Sequence, residues 1–175
     1  ANLREPHAPT QVVNELLVRH KYFDIVVHNV GGALGRKGPL TGIEHWKDVW
    51  DFNAGIPIEI NTLLIPLMKK RQWGRVIHIS SISAEVGEPR EHPYGGALPY
   101  AAAKAYLNAY VKGLGIEMAE HNVIVTALMP GAVLSKGKYW DKLRKTKPEL
   151  VKEFLNRHYS IGRFATAEEI APFAV

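Results

Sequence analysis

Three short apolar runs constrain this chain more than any other feature: residues 23–27 (FDIVV), 75–79 (RVIHI) and 123–128 (VIVTAL). All are rich in Val and Ile and lack the strict apolar/polar alternation of a half-exposed strand, so they read as strands buried on both faces. Connections of about 45 residues separate them. That is far longer than a hairpin, and each connection contains a helical pattern, which is what parallel strands with crossover helices require. The expected fold class is therefore α/β, with a doubly wound parallel sheet.

The helices follow from local signals. One is expected over residues 9–20. A second opens at the capping-box pattern Thr41-Gly-Ile-Glu44 and runs to about residue 71. A third follows Pro99, a residue suited to a first helical position, and continues to about residue 120. A further helix spans 148–158, and Thr166-Ala-Glu-Glu169 is a capping box opening one more. No repeat, low-complexity tract or linker divides the chain, so one domain over residues 1–175 is expected.

Composition closes off several classes. The longest apolar stretch, 56–68, is interrupted by Pro57, Glu59, Asn61 and Pro66, so no membrane span is expected. The sequence has no initiator Met and no leader and stops in mid-pattern, which reads as truncation at both ends. Cysteine is absent, excluding disulfides and thiol chemistry, and a cytoplasmic location is the default expectation. The net charge of +5 is scattered except at 136–152, where Asp141 and Glu149 intervene. A solvated face is favoured there over nucleic-acid binding, with attraction to an anionic substrate or cofactor phosphate as the alternative. Eight His residues are spread singly with no H-x-x-x-H pair, so no metal site is expected.

The candidate chemistry begins with Tyr100-Ala-Ala-Ala-Lys104. Residues four apart share a helix face, and a nearby ammonium favours the phenolate, which makes the pair a plausible proton-transfer device. Such a pair also occurs on ordinary helices. Its setting is more informative: the strand at 75–79 runs straight into Ser80-Ser81, placing a hydroxyl at the carboxyl end of a parallel strand, where open α/β sheets bind ligands. Ser81 could donate to a substrate oxygen, whereas Ser80 reads as satisfying the loop backbone. In Asn53-Ala-Gly-Ile-Pro57 the proline has no N–H, so the Asn53 carbonyl loses its helical partner and a kink is expected. The freed carbonyl could hold a water, or Pro57 could simply bend the helix around the sheet.

These residues, in order with His28-Asn29-Val30-Gly31, Ile79-Ser80-Ser81, Pro66 and Met68, and Pro130-Gly131, resemble the short-chain dehydrogenase/reductase family over nearly the whole chain. The resemblance implies a Rossmann-like fold and an NAD- or NADP-dependent oxidoreductase interconverting a carbonyl and a secondary alcohol. It implies Tyr100 as general acid/base, Lys104 lowering its pKa and meeting the nicotinamide ribose, Ser81 stabilising the reacting oxygen, and Asn53 positioning a relay water. Asn29, Val30 and Gly31 would border the adenosine ribose, and Pro130, Gly131, Ala132 and Val133 the nicotinamide carboxamide. Asn2 and Leu3 would meet the adenine. A small alcohol or ketone substrate is implied, as is a homodimer or homotetramer packed through helices near 45–71 and 99–120. Residues 135–159, with Tyr139 and Trp140, would form a lid.

The sequence also departs from the family pattern. His28 and Val30 replace the usual Asn and Ala of the turn, and 19 positions separate Ser81 from Tyr100, about six more than expected. The extra residues fall at 88–98, read as a specificity loop; Tyr94 within it is followed four positions later by Leu98 rather than Lys, so it is not chosen as the base. The glycine-rich phosphate loop is absent, so the choice between NAD and NADP is unreadable, and an exposed apolar sheet edge is expected. A binding module without chemistry, and an epimerase or dehydratase of the extended branch, are the alternatives.

Overall fold

The computed structural model describes residues 1–86 and 96–174. Tyr94 and most of the 88–98 loop lie outside the described residues. Three parallel strands, β1 (Ile25–His28), β2 (Gly74–Ile79) and β3 (Val123–Leu128), form a sheet in the order β1-β2-β3. The register pairs His28 with His78 and Ile79 with Leu128, so all three strands end together at their carboxyl ends.

Helix α1 (Ala8–His20) precedes β1. Helices α2 (Ile43–Trp50) and α3 (Ile56–Arg71), joined by a π-helical turn over Asp51–Gly55, connect β1 to β2. Helices α4 (Ser83–Val86) and α5 (Leu98–Met118) connect β2 to β3, and α6 (Tyr139–Thr146), α7 (Pro148–His158) and α8 (Ala167–Ile170) follow. Crossovers of this kind are what the strand spacing demanded.

The core lies between α3, α5 and one face of the sheet: Ile65 and Met68 meet Leu107, Val111, Val76, Val123 and Val125. Met68 and Leu107 are each 1% exposed, and burying a side chain of that size stabilises by about 1.5–3 kcal/mol. Helix α1 packs on α3, where the Thr10 hydroxyl donates to Glu59 at 2.5 Å.

Three expectations are corrected. Strands β1 and β3 are not buried on both faces, although β2 has no exposed residue: Ile25 is 56%, Val27 50% and Ile124 41% exposed, because the helices of the core cover one face and alternate side chains point to the other. The Thr41 capping box does not form. Helix α2 starts one residue after Gly42 with no side-chain cap, and the Thr41 hydroxyl lies 2.6 Å from His45 Nδ1 instead. The expected kink at Pro57 takes the form of the π turn, in which the Ile56 N–H reaches back five residues to the Asp51 carbonyl. The Thr166 box does form, with Glu169 N–H donating to Thr166 and Glu169 accepting from Thr166 N–H. No described helix is long and apolar enough to cross a membrane.

Candidate active site

The carboxyl ends of the strands open into loops that the backbone ties together. Ser80 N–H donates to Leu128 O at 2.7 Å and Ile82 N–H to Pro130 O at 3.1 Å, holding the Ser81 segment against Pro130-Gly131. Helix α5 begins beside them and presents Tyr100, half-buried, and Lys104, 3% exposed.

Lys104 is fixed in this setting. Its ammonium donates to Ile79 O at 2.8 Å and lies 5.7 Å from the centre of the Tyr100 ring. Burial pulls its pKa down to about 8, since desolvation disfavours the charged form. The cation therefore sits beside the phenol, yet titrates near the physiological range.

Asn53 is wholly buried, and both ends of its side-chain amide are hydrogen-bonded. Oδ1 accepts from Gly32 N–H at 3.0 Å, while Nδ2 donates to Gly32 O at 2.9 Å and to Val49 O at 2.7 Å. This fastens the loop after β1 to the π turn. Gly31 adopts φ 151°, and a Cβ there would lie 2.6 Å from Asn53 Oδ1 and 3.1 Å from Lys104 Nζ. Only glycine leaves room for both side chains, so the loop, Asn53 and Lys104 form one packed unit.

Ser81 is half-buried; its hydroxyl accepts from Ser83 N–H at 3.2 Å and donates to Ser83 Oγ at 3.1 Å. Ser80, 4% exposed, reaches the Lys104 carbonyl at 3.5 Å, in keeping with a backbone-satisfying role.

Two cavities meet at these residues. A cleft of about 570 Å³ runs along the strand ends past Val27, Asn29, Ile79, Leu128 and Pro130 to Ser81 and Tyr100. A smaller cavity of about 180 Å³ adjoins it and shares Ser81, Tyr100, Gly131 and Trp140. The structure thus brings Tyr100 and Ser81 together in both. Asn29, Pro130, Gly131 and Val133 line the cleft; Ala132 lines the smaller cavity; Val30 is half-buried beside them in sequence. Asn2 and Leu3 lie outside the lining of both, and Asn2 spends its side chain on Glu5 and the Arg4 N–H.

The segment expected to form a lid takes part in a second apolar cluster, in which Trp140 stacks on Phe154 (5.2 Å, 20°) and packs against Phe164. Ile82 and Ser83 also line the smaller cavity without having been singled out from the sequence, and Ala97 from the 88–98 loop and Tyr159 from the 135–159 segment line it as well. Ser83 stood two residues beyond Ser81 and was visible as a further hydroxyl. Tyr159 had no local signal, because its ring reaches the site only through the fold of α7. A Cβ at Gly131 would lie 2.6 Å from that ring.

The long cleft at the strand ends has room for part of a dinucleotide. Tyr100 stands beside the Lys104 ammonium and shares both cavities with the Ser81 hydroxyl, an arrangement of groups that can exchange a proton.

Comparison with known proteins gives the family and the fold. Residues 1–146 match the family model for short chain dehydrogenases. The chain is 30% identical over 149 residues, 84% of its length, to the 3-oxoacyl-(acyl-carrier-protein) reductase FabG of Pseudomonas aeruginosa, covering 55% of that protein. It is 26% identical over 181 residues to the D-beta-hydroxybutyrate dehydrogenase of Rhizobium meliloti, spanning all of this chain and 68% of the relative. The crystal structure of a 3-oxoacyl (acyl-carrier-protein) reductase from Agrobacterium tumefaciens with NADP bound superposes with a TM-score of 0.85 at 25% identity, covering 99% of this chain and 64% of that one. The chain thus spans between 55% and 68% of the length of these relatives. It belongs to the short chain dehydrogenase family.

Proposed function

We propose that the chain is the catalytic part of an NAD(P)(H)-dependent oxidoreductase that interconverts a carbonyl and a secondary alcohol. The observation that carries the reading is the buried Lys104 ammonium 5.7 Å from the centre of the Tyr100 ring, with Tyr100 and Ser81 lining the same cavity. Family membership and the NADP-bound relative support it.

In this reading Tyr100 gives a proton to the carbonyl oxygen in reduction and takes it from the alcohol in oxidation. Lys104 holds the phenol toward its ionised form and meets the nicotinamide ribose. Ser81 donates to the same oxygen as charge develops on it. Asn53 acts through the Gly32 loop and positions the relay water. Asn29, Val30 and Gly31 would hold the adenosine ribose, and residues 130–133 the carboxamide; Asn2 and Leu3 are assigned to the adenine. When bound, the nicotinamide supplies or accepts the hydride.

Residues 1–175 act as one catalytic domain in the cytoplasm. The partner is a second copy of the chain, packed through the helices of 45–71 and 99–120. Support comes from an apolar groove there lined by Trp46, Trp50, Pro99 and Tyr106, with Trp50 and Tyr106 39% and 48% exposed.

The test is a screen of the complete protein against alcohol and ketone panels with both nicotinamides, followed by Tyr100→Phe. The expected result is loss of turnover by about 10²-fold or more with cofactor binding retained. Full turnover in that variant overturns the assignment.

A further inference from the structure

The net charge of the chain is concentrated beside the larger cleft. Residues 136–147 hold six cations, Lys136, Lys138, Lys142, Arg144, Lys145 and Lys147, against the single anion Asp141, a net of +5 that equals the charge of the whole chain. Elsewhere the charges cancel, and residues 87–95, with Glu88, Arg90 and Glu91, contribute only −1. The segment is a positive patch rather than an even mixture of signs.

The start of this patch lies at the cleft that Tyr100 and Ser81 line. Ser135 and Lys138 line the same cleft, as do Tyr139 and Trp140 after them. The backbone fixes Lys138 in that place: its N–H donates to Ser135 O at 3.1 Å, Gly137 makes the turn with φ 75°, and the Gly137 N–H donates to the Asp141 carboxylate at 2.9 Å. Asp141, 3% exposed, also accepts from Arg144 and Lys145 at 2.9–3.1 Å, so those two cations are spent on holding the turn. Lys138 is exposed and makes no ion pair among the described residues, and its flexible four-carbon stem lets the ammonium meet a bound anion.

Such a cation acts twice. From a distance the patch draws anions to the cleft, and in contact a charge-assisted hydrogen bond to a carboxylate or phosphate oxygen holds them there. Trp140, two residues on, also lines the smaller cavity with Tyr100 and Ser81, so the segment that carries Lys138 walls the place where a carbonyl would react. We infer that the substrate carries an anionic group, a carboxylate or a phosphate, and that Lys138 selects it by engaging that group while Tyr100 and Ser81 meet the reacting oxygen. This rests on the oxidoreductase reading above and names its substrate class.

The experiment measures reduction of two matched pairs, acetoacetate against acetoacetamide and dihydroxyacetone phosphate against dihydroxyacetone, by the complete protein with NADH and NADPH. The inference expects kcat/KM at least about tenfold higher for the anionic member of one pair, expressed in KM more than in kcat. That advantage should shrink at least about threefold as NaCl rises from about 0.05 M to about 0.5 M, since salt screens the patch. In Lys138→Gln the anionic-to-neutral ratio should fall about tenfold, and Lys138→Arg should keep most of it. Neutral members that react as fast as their anionic partners in both pairs overturn the inference while the oxidoreductase reading stands. A ratio unchanged in Lys138→Gln overturns it as well, and weaker NADH or NADPH binding by calorimetry in that variant gives the lysine to the cofactor instead. Turnover confined to an acetoacetyl thioester on an acidic carrier protein also overturns it, the patch then serving a protein. If no carbonyl is reduced with either nicotinamide, the oxidoreductase reading fails; the anion site then stands only if acetoacetate or dihydroxyacetone phosphate binds the wild type in calorimetry and Lys138→Gln abolishes that binding.

Discussion

Acid should unfold this protein through a buried pair of histidines. His28 and His78 are cross-strand partners whose rings stack at 4.5 Å and 24°, and both are tied to Asn61. His28 Nε2 donates to Asn61 Oδ1 at 2.8 Å; Asn61 Nδ2 then faces His78 Nε2 at 3.2 Å and the Tyr110 hydroxyl at 3.1 Å. The amide offers His78 a donor, so that nitrogen must accept and the ring must stay neutral. Among the described residues His78 Nδ1 has no hydrogen-bond partner. Burial, then the neighbouring His28 and Lys104, push the His78 pKa down to about 3 from 6.5, and burial also lowers that of His28. Between pH 6.5 and 3 the unfolded chain therefore binds more protons at His78 than the folded one, and stability falls as the pH falls. Acidifying from about pH 7.5 to 4.5 should cost about 3 kcal/mol through His78, at roughly 1.4 kcal/mol per unit of separation.

The assay is urea unfolding of wild type and His78→Phe across that range. Phenylalanine keeps the ring against His28 and leaves Asn61 bonded to Tyr110. The carboxylate of Glu169, lowered to about 2 by its Arg163 hydrogen bond, is lost only further down as pH falls from about 4.5. Asp51, raised chiefly by burial, acts with the opposite sign, but it is common to both proteins. The variant should lose about 3 kcal/mol less than wild type on acidification. Parallel pH profiles for the two proteins, or a His78 resonance titrating near 6.5, would refute the reasoning.

Three further outcomes follow from the site. Gly31→Ala should destabilise by about 2 kcal/mol or more and weaken dinucleotide binding, read by urea midpoint and calorimetry, because the new methyl would meet Asn53 at 2.6 Å in a conformation few side chains adopt. Asn53→Ala should cost about 3 kcal/mol in the same unfolding assay, since Gly32 N–H, Gly32 O and Val49 O all lose a buried partner. Turnover should decline as pH rises through about 8, where Lys104 gives up the charge that supports the phenolate. Lys104→Met should remove that limb in a pH–rate profile. Between pH 8 and 10.5 the unfolded chain binds more protons at Lys104, so its contribution to stability rises with pH even as activity falls.

Local chemistry made much of this architecture legible. The β-branched runs located β1, β2 and β3 to within two residues, because a short apolar run between long helical connections has few other uses. Pro99 placed the start of α5, and the helix over 148–158 agrees with α7 at both ends. Helical spacing alone put Tyr100 and Lys104 on one face. Two neighbouring signals misled. Thr41 satisfied the capping pattern, but its hydroxyl found His45, and Pro57 produced a π turn where a kink was expected.

The amino-acid order by itself determined the strands, the crossover helices and the pairing of a phenol with an amine, since all three depend on periodicity and on residues close in the chain. Tertiary structure decided the rest. It put Asn53 onto the Gly32 loop 21 residues away, brought Tyr159 against Gly131, and set Trp140 in the wall of the smaller cavity beside Tyr100. Those contacts join separate elements, and their geometry is set by how helices pack on a sheet rather than by any local preference of the chain.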